Sequence, residues 1–257
     1  MTVPRNVPAM ASLLASPVVE LRQYTLKPGR RETLIDIFDR RFIDGQEDAG
    51  ITIIGQFRDF DRPDMFVWLR GFDDMEARKE ALTAFYDGPV WTAHRDAANA
   101  TMIDSDDVLL LKPAWPAAGF DLSGSLRDAL PADGKPSADN HLTGIVVIQI
   151  HHLRPDAEAD FAGDFETDVV PILTAAGGRL LGAFITEHAE NSFPRLPVRL
   201  GENVFIAVTG FDSLEAHGRH EAALAASPRW QLFWQAADMT RPTETLRLSP
   251  TSQSLLR

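Results

Sequence analysis

FVWLRGFD, residues 66–73, returns as FIAVTGFD at residues 205–212. Each copy is a run of strand formers that closes on Gly-Phe-Asp and opens a helical pattern. Asp73 stands three residues before Glu76, and Asp212 three before Glu215. That is the spacing of a capping box, in which two side chains satisfy orphaned helix N–H groups reciprocally. A strand, a Gly-Phe step and a capped helix, met twice, imply an internal duplication.

Upstream of the first copy, residues 18–26 read as a strand turned by Lys27-Pro28-Gly29. A helix follows, with Leu34, Ile37, Phe38 and Phe42 at helical spacing, and stops near Gly50. Residues 51–58 form a second strand, Pro63 marks a turn, and 65–70 form the third strand. The helix from Asp74 breaks at Asp87-Gly88, and Pro89 suits the first position of another. Residues 108–112 make the last strand. The order β-α-β-β-α-β is the ferredoxin-like plan.

Residues 114–140, rich in Pro, Gly, Ala, Ser and Asp, read as a linker, and the plan restarts near residue 141. Gly182-Ala-Phe answers Gly55-Gln-Phe at an offset of 127, whereas Gly210-Phe-Asp answers Gly71-Phe-Asp at 139. The difference of 12 places an insertion within residues 190–203, ENSFPRLPVRLGEN. The reading is therefore α+β, with an N-terminal arm (1–17), a first domain (18–113), a linker (114–140) and a second domain (141–252).

Composition narrows the function. The formal charge of −12 argues against nucleic acid and anionic membrane surfaces. No apolar run reaches the roughly 20 residues that span a bilayer. Residues 1–17 make a poor signal peptide and are expected to be mobile. The absence of cysteine removes disulfides, thiolate metal sites and cysteine nucleophiles, and fits a cytoplasmic protein.

ELRQYTLKPG at 20–29, FVWLRGFDDMEAR at 66–78, GPVWTAHRDAANATMIDSDDVLLLKP at 88–113 and NSFPRLPVRLGENV at 191–204 together resemble the NIPSNAP family in tandem form, over roughly residues 18–252. The resemblance implies a dimeric α/β-barrel fold, here a pseudo-dimer of two ferredoxin-like domains in one chain. That superfamily includes cofactor-independent monooxygenases, isomerases, decarboxylases and haem enzymes. The NIPSNAP branch implies no settled reaction, and fold alone decides little about function.

The duplication itself singles out residues for chemistry, because equivalent positions should share burial. At the offset of 139, His94 answers Phe233 and Arg95 answers Trp234. Trp230, Phe233, Trp234 and Ala237 have core spacing, whereas the first copy keeps Trp91 and Ala98 with a His and an Arg between them. Buried polar groups need partners or a ligand. Either these two face a pocket, or His94 bonds a carbonyl and Arg95 pairs with Asp59 or Asp96.

On the first strand, Tyr24 answers His151 and shares a face with Arg22. His151 is either a general base or a satisfied core imidazole. Trp68 answers Ala207 and Gln56 answers Ala183, so cavity size differs between the copies. Trp68 and Trp91 form either an aromatic ligand wall or plain core. In the insertion, Arg195 and Arg199 either clamp a carboxylate or phosphate or serve an edge loop whose arginines pair with surface acids. His151, His152, Glu187 and His188 lack a metal-ligand spacing, so no metal site is expected.

The expected function is that of an enzyme acting without metal or other cofactor on a small anionic or aromatic molecule, as an oxygenase, isomerase or lyase. His94, His151 and Tyr24 are the candidates for proton handling, and Arg95, Trp68, Trp91, Gln56, Asn191, Arg195 and Arg199 for substrate contact. The alternative is a non-catalytic binding or scaffold protein. The expected partner is a small molecule, with a second copy of the chain possible in a homo-oligomer.

Overall fold

In a computed structural model, which describes residues 14–128, 130 and 144–257, the chain folds as a mixed α/β protein around a closed eight-stranded barrel. A short strand β1 (Leu14–Ala15) precedes β2 (Val18–Leu26). The first long helix is α1 (Arg31–Ile37), a π-helical turn Phe38–Phe42 and α2 (Ile43–Asp48). Then come β3 (Thr52–Asp59), β4 (Met65–Phe72), α3 (Met75–Tyr86), α4 (Pro89–Asn99) and β5 (Met102–Pro113). After a short β6 (Phe120–Asp121) the order recurs as β7 (Ile145–His152), α5 (Glu158–Asp164), a π-helical turn Phe165–Val169, α6 (Val170–Ala175), β8 (Arg179–Thr186), β9 (Val204–Phe211), α7 (Leu214–Ala225), α8 (Pro228–Ala236) and β10 (Glu244–Pro250).

The barrel runs β10-β3-β4-β2-β5-β8-β9-β7 and closes where β7 meets β10. Two short antiparallel seams join the halves. Leu111 pairs with Thr186 and Pro113 with Phe184, while Asp59 pairs with Leu248 and Phe57 with Pro250. Eight strands leave an interior just wide enough to be filled by side chains. Strand alternation supplies them: Val19 and Leu21, Val67 and Leu69, Val146, Ile148 and Ile150 point inward. The opposite faces carry the helices.

The recurring glycines have a physical reason. Gly55 and Gly182 each sit at a register shift against the neighbouring strand, and the ring two residues on, Phe57 or Phe184, lies where a Cβ would be. The nearest ring atoms would be 2.6 Å and 2.7 Å from that Cβ. The two π-helical turns fall at equivalent positions, and each adds a residue that rotates aromatic side chains onto the sheet. Phe38 meets Trp68 at 4.8 Å, and Phe165 meets Phe205 at 4.5 Å.

Three expectations change in detail. The N-cap of α3 is Asp74, whose carboxylate accepts from the N–H groups of Glu76 and Ala77, and the cap of α7 is Ser213. Asp73 and Asp212 are therefore not caps, and no capping box forms, because Glu76 and Glu215 stand only two residues past the true caps. The stretch read as a linker has structure in its first part: Ala114 and Ala118 exchange backbone bonds with Ala183, and Phe120 enters the barrel core against Phe184 at 4.6 Å. Of its later part, residues 129 and 131–140 lie outside the described residues, as do residues 141–143 of the expected second domain and residues 1–13 of the expected arm. Residues 14 and 15 pair with β6.

Gly55→Ala and Gly182→Ala should each destabilise the barrel by about 1–3 kcal/mol, the cost of overpacking a filled core. Urea unfolding of the two variants checks this, and similar losses are expected because the two sites are built alike.

Candidate functional site

On the helix-facing side of the first half, β2 presents Glu20, Arg22 and Tyr24 in alternation, and β4 presents Trp68 and Arg70 beside them. Register pairs Glu20 with Arg70 and Arg22 with Trp68. Arg78 comes down from the first turn of α3. All four charged side chains are buried. Arg22 Nη1 lies 2.6 Å from Glu20 Oε2, Arg70 Nε donates to the same oxygen at 2.8 Å, and Arg78 Nε donates to Oε1 at 2.7 Å. Arg70 Nη2 also lies 2.8 Å from Glu20 Oε2, an ionic contact without hydrogen-bond geometry.

Three guanidinium charges against one carboxylate leave two in excess inside the protein. Burial by itself raises the Glu20 carboxyl, but Arg70, Arg22 and Arg78 outweigh it and hold the group well below the carboxylate range. Arg78 is not fully compensated: burial pushes its guanidinium down despite Glu20. Its Nη1 donates to neutral oxygens, Asn191 Oδ1 at 2.9 Å and Ser192 Oγ at 3.2 Å, and its buried Nη2 has no partner. Arg22 and Arg70 lie over the Trp68 ring at 5.5 Å and 5.1 Å.

Next to this cluster is a cavity of about 30 Å³. Its walls include Tyr24, Gln46, Trp68, Tyr86 and Trp91. The volume admits water and is too small for an aromatic ring. Arg22 Nε donates to Tyr24 Oη at 3.1 Å, and burial pushes the phenol upward, so Tyr24 keeps its proton. Arg70 Nη1 reaches Gln46 Oε1 at 3.4 Å, and Trp68 Nε1 is buried without a partner.

The structure thus brings Tyr24, Trp68, Trp91 and Asn191 to one place. It does not bring His94 and Arg95 there. Arg95 is exposed and lies 3.7 Å from Asp96. His94 is half-buried, with its ring 6.5 Å from that of Phe42, and does not line the cavity. The cause is the position of α4, which buries only Ala98. Gln56 is buried opposite Trp68 in the register, with both amide atoms unpartnered.

Both loop arginines are held by acids. Arg195 pairs with Asp87 at 2.7 Å, and Arg199 with Glu202 at 3.0 Å and Asp107 at 3.2 Å. His151 lies in the second half, stacked on Trp234 at 4.7 Å, with Nδ1 3.0 Å from Thr243 Oγ1. Burial, aided by His152, lowers its pKa to about 3, which makes it a poor base. His152 and His188 contact Glu244 and Glu158.

Glu20, Arg70, Arg78, Gln46 and Ser192 are additions that the sequence reading missed. The comparison between copies held the signal. Glu20 answers Val147 and Gln46 answers Leu173 at the offset of 127, and Arg70 answers Thr209 and Arg78 answers His217 at 139.

Residues 19–116 match the NIPSNAP family model. No curated protein matches the chain. Among solved structures, a provisionally named monooxygenase from Lactobacillus acidophilus NCFM is 10% identical with a TM-score of 0.54, covering 93% of this chain and 98% of its own. An anthrone oxidase-like protein is 12% identical with a TM-score of 0.51, covering 91% of each chain. A NIPSNAP-like domain protein from Burkholderia xenovorans is 29% identical over 44% of this chain and 89% of its own, with a TM-score of 0.36. The two full-length likenesses show the fold alone, a mixed α/β protein around a closed eight-stranded barrel.

Two outcomes follow. Glu20→Gln should cost about 3–5 kcal/mol in chemical denaturation, because it leaves buried guanidiniums uncompensated. His151 has a folded pKa below its unfolded value of 6.5. The unfolded chain therefore binds the extra proton, so stability is complete above pH 6.5 and falls as pH drops toward 3. His151→Phe should flatten the slope of unfolding free energy between pH 7 and pH 5.

Proposed function

We propose that this chain, which carries a NIPSNAP domain over residues 19–116, is a tandem pair of ferredoxin-like units whose first half binds and transforms a small aromatic organic anion. The recurring element order supports the tandem reading. The observation that carries the ligand reading is the excess of two buried positive charges beside a cavity walled by Tyr24, Trp68, Tyr86 and Trp91. Buried charge without a counter-charge is costly, and an anion removes that cost.

The chemistry that suits the site is stabilisation of a developing oxyanion. Preorganised donors in a water-poor site act most strongly where negative charge appears. Tyr24 accepts from Arg22 and keeps its own O–H to donate. The cavity lining contains no Asp, Glu, His or Lys. A substrate that arrives as its own enolate or phenolate needs donors and no protein base, which fits a cofactor-independent oxygenase, isomerase or lyase. The names of the two full-length structural neighbours run in the oxygenase direction. That same lack of a lining base favours a second reading, a binding protein without turnover.

Titration with a panel of aromatic acids, phenols and their neutral isosteres, followed by tryptophan fluorescence, tests the proposal. The anions should bind and their isosteres should not. Arg70→Met should weaken binding by about 10- to 100-fold, the loss of a charged hydrogen bond of about 1.5–3 kcal/mol. Equal binding of neutral and anionic members would refute it. Product formation under air separates turnover from binding alone.

A further inference from the structure

A segment of the other half packs against the wall of the pocket. The inserted loop between β8 and β9 crosses to the first half and ends on Arg78. Asn191 Oδ1 accepts from Arg78 Nη1 at 2.9 Å and Ser192 Oγ accepts from it at 3.2 Å, while the Ser192 hydroxyl donates to the Met75 carbonyl at 2.8 Å. The Asn191 amide cannot be turned over without loss, because Nδ2 donates to the Leu196 carbonyl at 2.9 Å. Two residues on, the Phe193 ring is buried and stacks on Tyr86 at 6.1 Å with a 29° tilt. Tyr86 is itself a wall of the cavity.

We propose that this loop is both the gate of the first-half pocket and its built-in occupant: Asn191 and Phe193 hold the places of the carboxylate and the ring of an aryl-alkyl carboxylate. The inference rests on the reading of the first half as an anion pocket, and adds to it the ligand class and the moving part.

The match is chemical. An amide is a planar neutral counterpart of a carboxylate. It offers Arg78 one oxygen where a carboxylate offers two, and a guanidinium binds a carboxylate through both parallel N–H groups. The unpartnered Nη2 of Arg78 is the donor that the second oxygen would take. Asn191 also brings no charge, so the excess of the cluster remains until an anion replaces it.

Volume points the same way. About 30 Å³ holds no ring, so an aromatic ligand needs space that a protein element now fills. Withdrawal of the loop takes Phe193 off Tyr86 and frees a ring-sized site next to Arg78. The outer contact that holds the loop is of the kind that opens readily, and the inner ones to Arg78 are those a carboxylate would replace. Arg195 pairs with Asp87 where both side chains are half-exposed, and exposed pairs of this type contribute little. Arg195 Nη2 also donates to the Tyr86 carbonyl at 3.1 Å. Pro194 and Pro197 restrict the backbone, so the segment moves as a stiff flap.

The test uses 3-phenylpropionate, its neutral amide and inorganic phosphate in calorimetric titrations of the full chain, with hydrogen exchange read over residues 190–197. The wild type should bind 3-phenylpropionate and neither of the others, and exchange in the loop should quicken on binding. Asn191→Asp places a carboxylate on Arg78 and should raise the melting temperature while weakening 3-phenylpropionate at least 10-fold. Arg195→Ala should bind it more tightly, since the flap opens more easily. Unchanged affinity in Asn191→Asp, or slower exchange in the loop on binding, would overturn the gate and leave the anion pocket standing. Binding of phosphate alone would overturn the ligand class. Failure of the Asn191→Asp protein to fold leaves the Arg195→Ala affinity and the wild-type exchange to decide. If no member of the wider aromatic panel binds either, the pocket reading falls with this one.

Discussion

One carboxylate, Glu20, holds three buried guanidiniums, and much of the first half is arranged around that bond set. It ties β2 to β4 through Arg70 and to α3 through Arg78. Arg78 in turn fixes the loop of the second half. Such a cluster is a poor way to gain stability, because desolvation of each ion opposes the attraction and well-packed apolar groups do as well or better. The second half supplies the comparison within the same molecule. Val147, Thr209 and Leu173 stand where Glu20, Arg70 and Gln46 stand, and the same strands and helices form. The architecture therefore does not require the charges, and their retention in one half calls for a different reason.

In the second half the space over Ala207 and Ala183 is filled, and an open groove of about 590 Å³ lies outside it, lined by Phe161, Ile172, Phe233 and Ala237. Ala207 and Ala183 are small where Trp68 and Gln56 are large, and Phe161, Phe165 and Trp234 pack over them with His151 in the stack. His151 has lost its basicity to this burial. The two halves thus solve the same packing problem in opposite ways: one with aromatic mass, the other with charges, aromatic walls and a small residual cavity.

Element order and the glycine equivalences could be read directly, because both rest on local signals. Runs of strand formers marked the strands, and Gly55 with Gly182 marked equivalent positions in them, where the structure has a register shift. The helix caps could not be placed to the residue, since Asp73 and Asp74 both suit a cap and only the backbone turn decides. Part of the candidate site was legible: Tyr24, Trp68 and Trp91 wall the cavity, whereas His94 and Arg95 do not. Comparing the copies reached Tyr24 on β2 and Trp68 on β4, but its weight fell on α4 and α8, whose phase was taken from Trp91 and Trp230. Those helices lie outermost: α8 buries no residue fully and α4 only Ala98. An aromatic stripe there is a half-covered surface, so a departure from it at His94 and Arg95 does not mark an interior. Carried along the whole of β2, β4 and α3, which touch the core, the same comparison also finds Glu20, Arg70 and Arg78. What no local pattern reveals is that three arginines, the farthest of them 58 residues along the chain, meet on one carboxylate.

Closure of the barrel explains why the flap belongs to the other half. The seam pairs Leu111 of β5 with Thr186, the last residue of β8. Past that point the chain keeps to β5: the Glu187 N–H donates to the Leu110 carbonyl and the Arg199 N–H to the Val108 carbonyl. Leu110 and Val108 are the register partners of Glu20 and Arg22. The loop therefore leaves and rejoins the sheet alongside the charged cluster, and its middle reaches Arg78. The corresponding connection in the first half, between Asp59 and Met65, is shorter by the inserted residues and folds into a tight turn held by the Asp59 carboxylate. It has no length to cover the second half. One barrel with two unequal connections thus gives one covered charged pocket and one filled aromatic core, and the inequality resides in the inserted segment that contains Asn191 and Phe193.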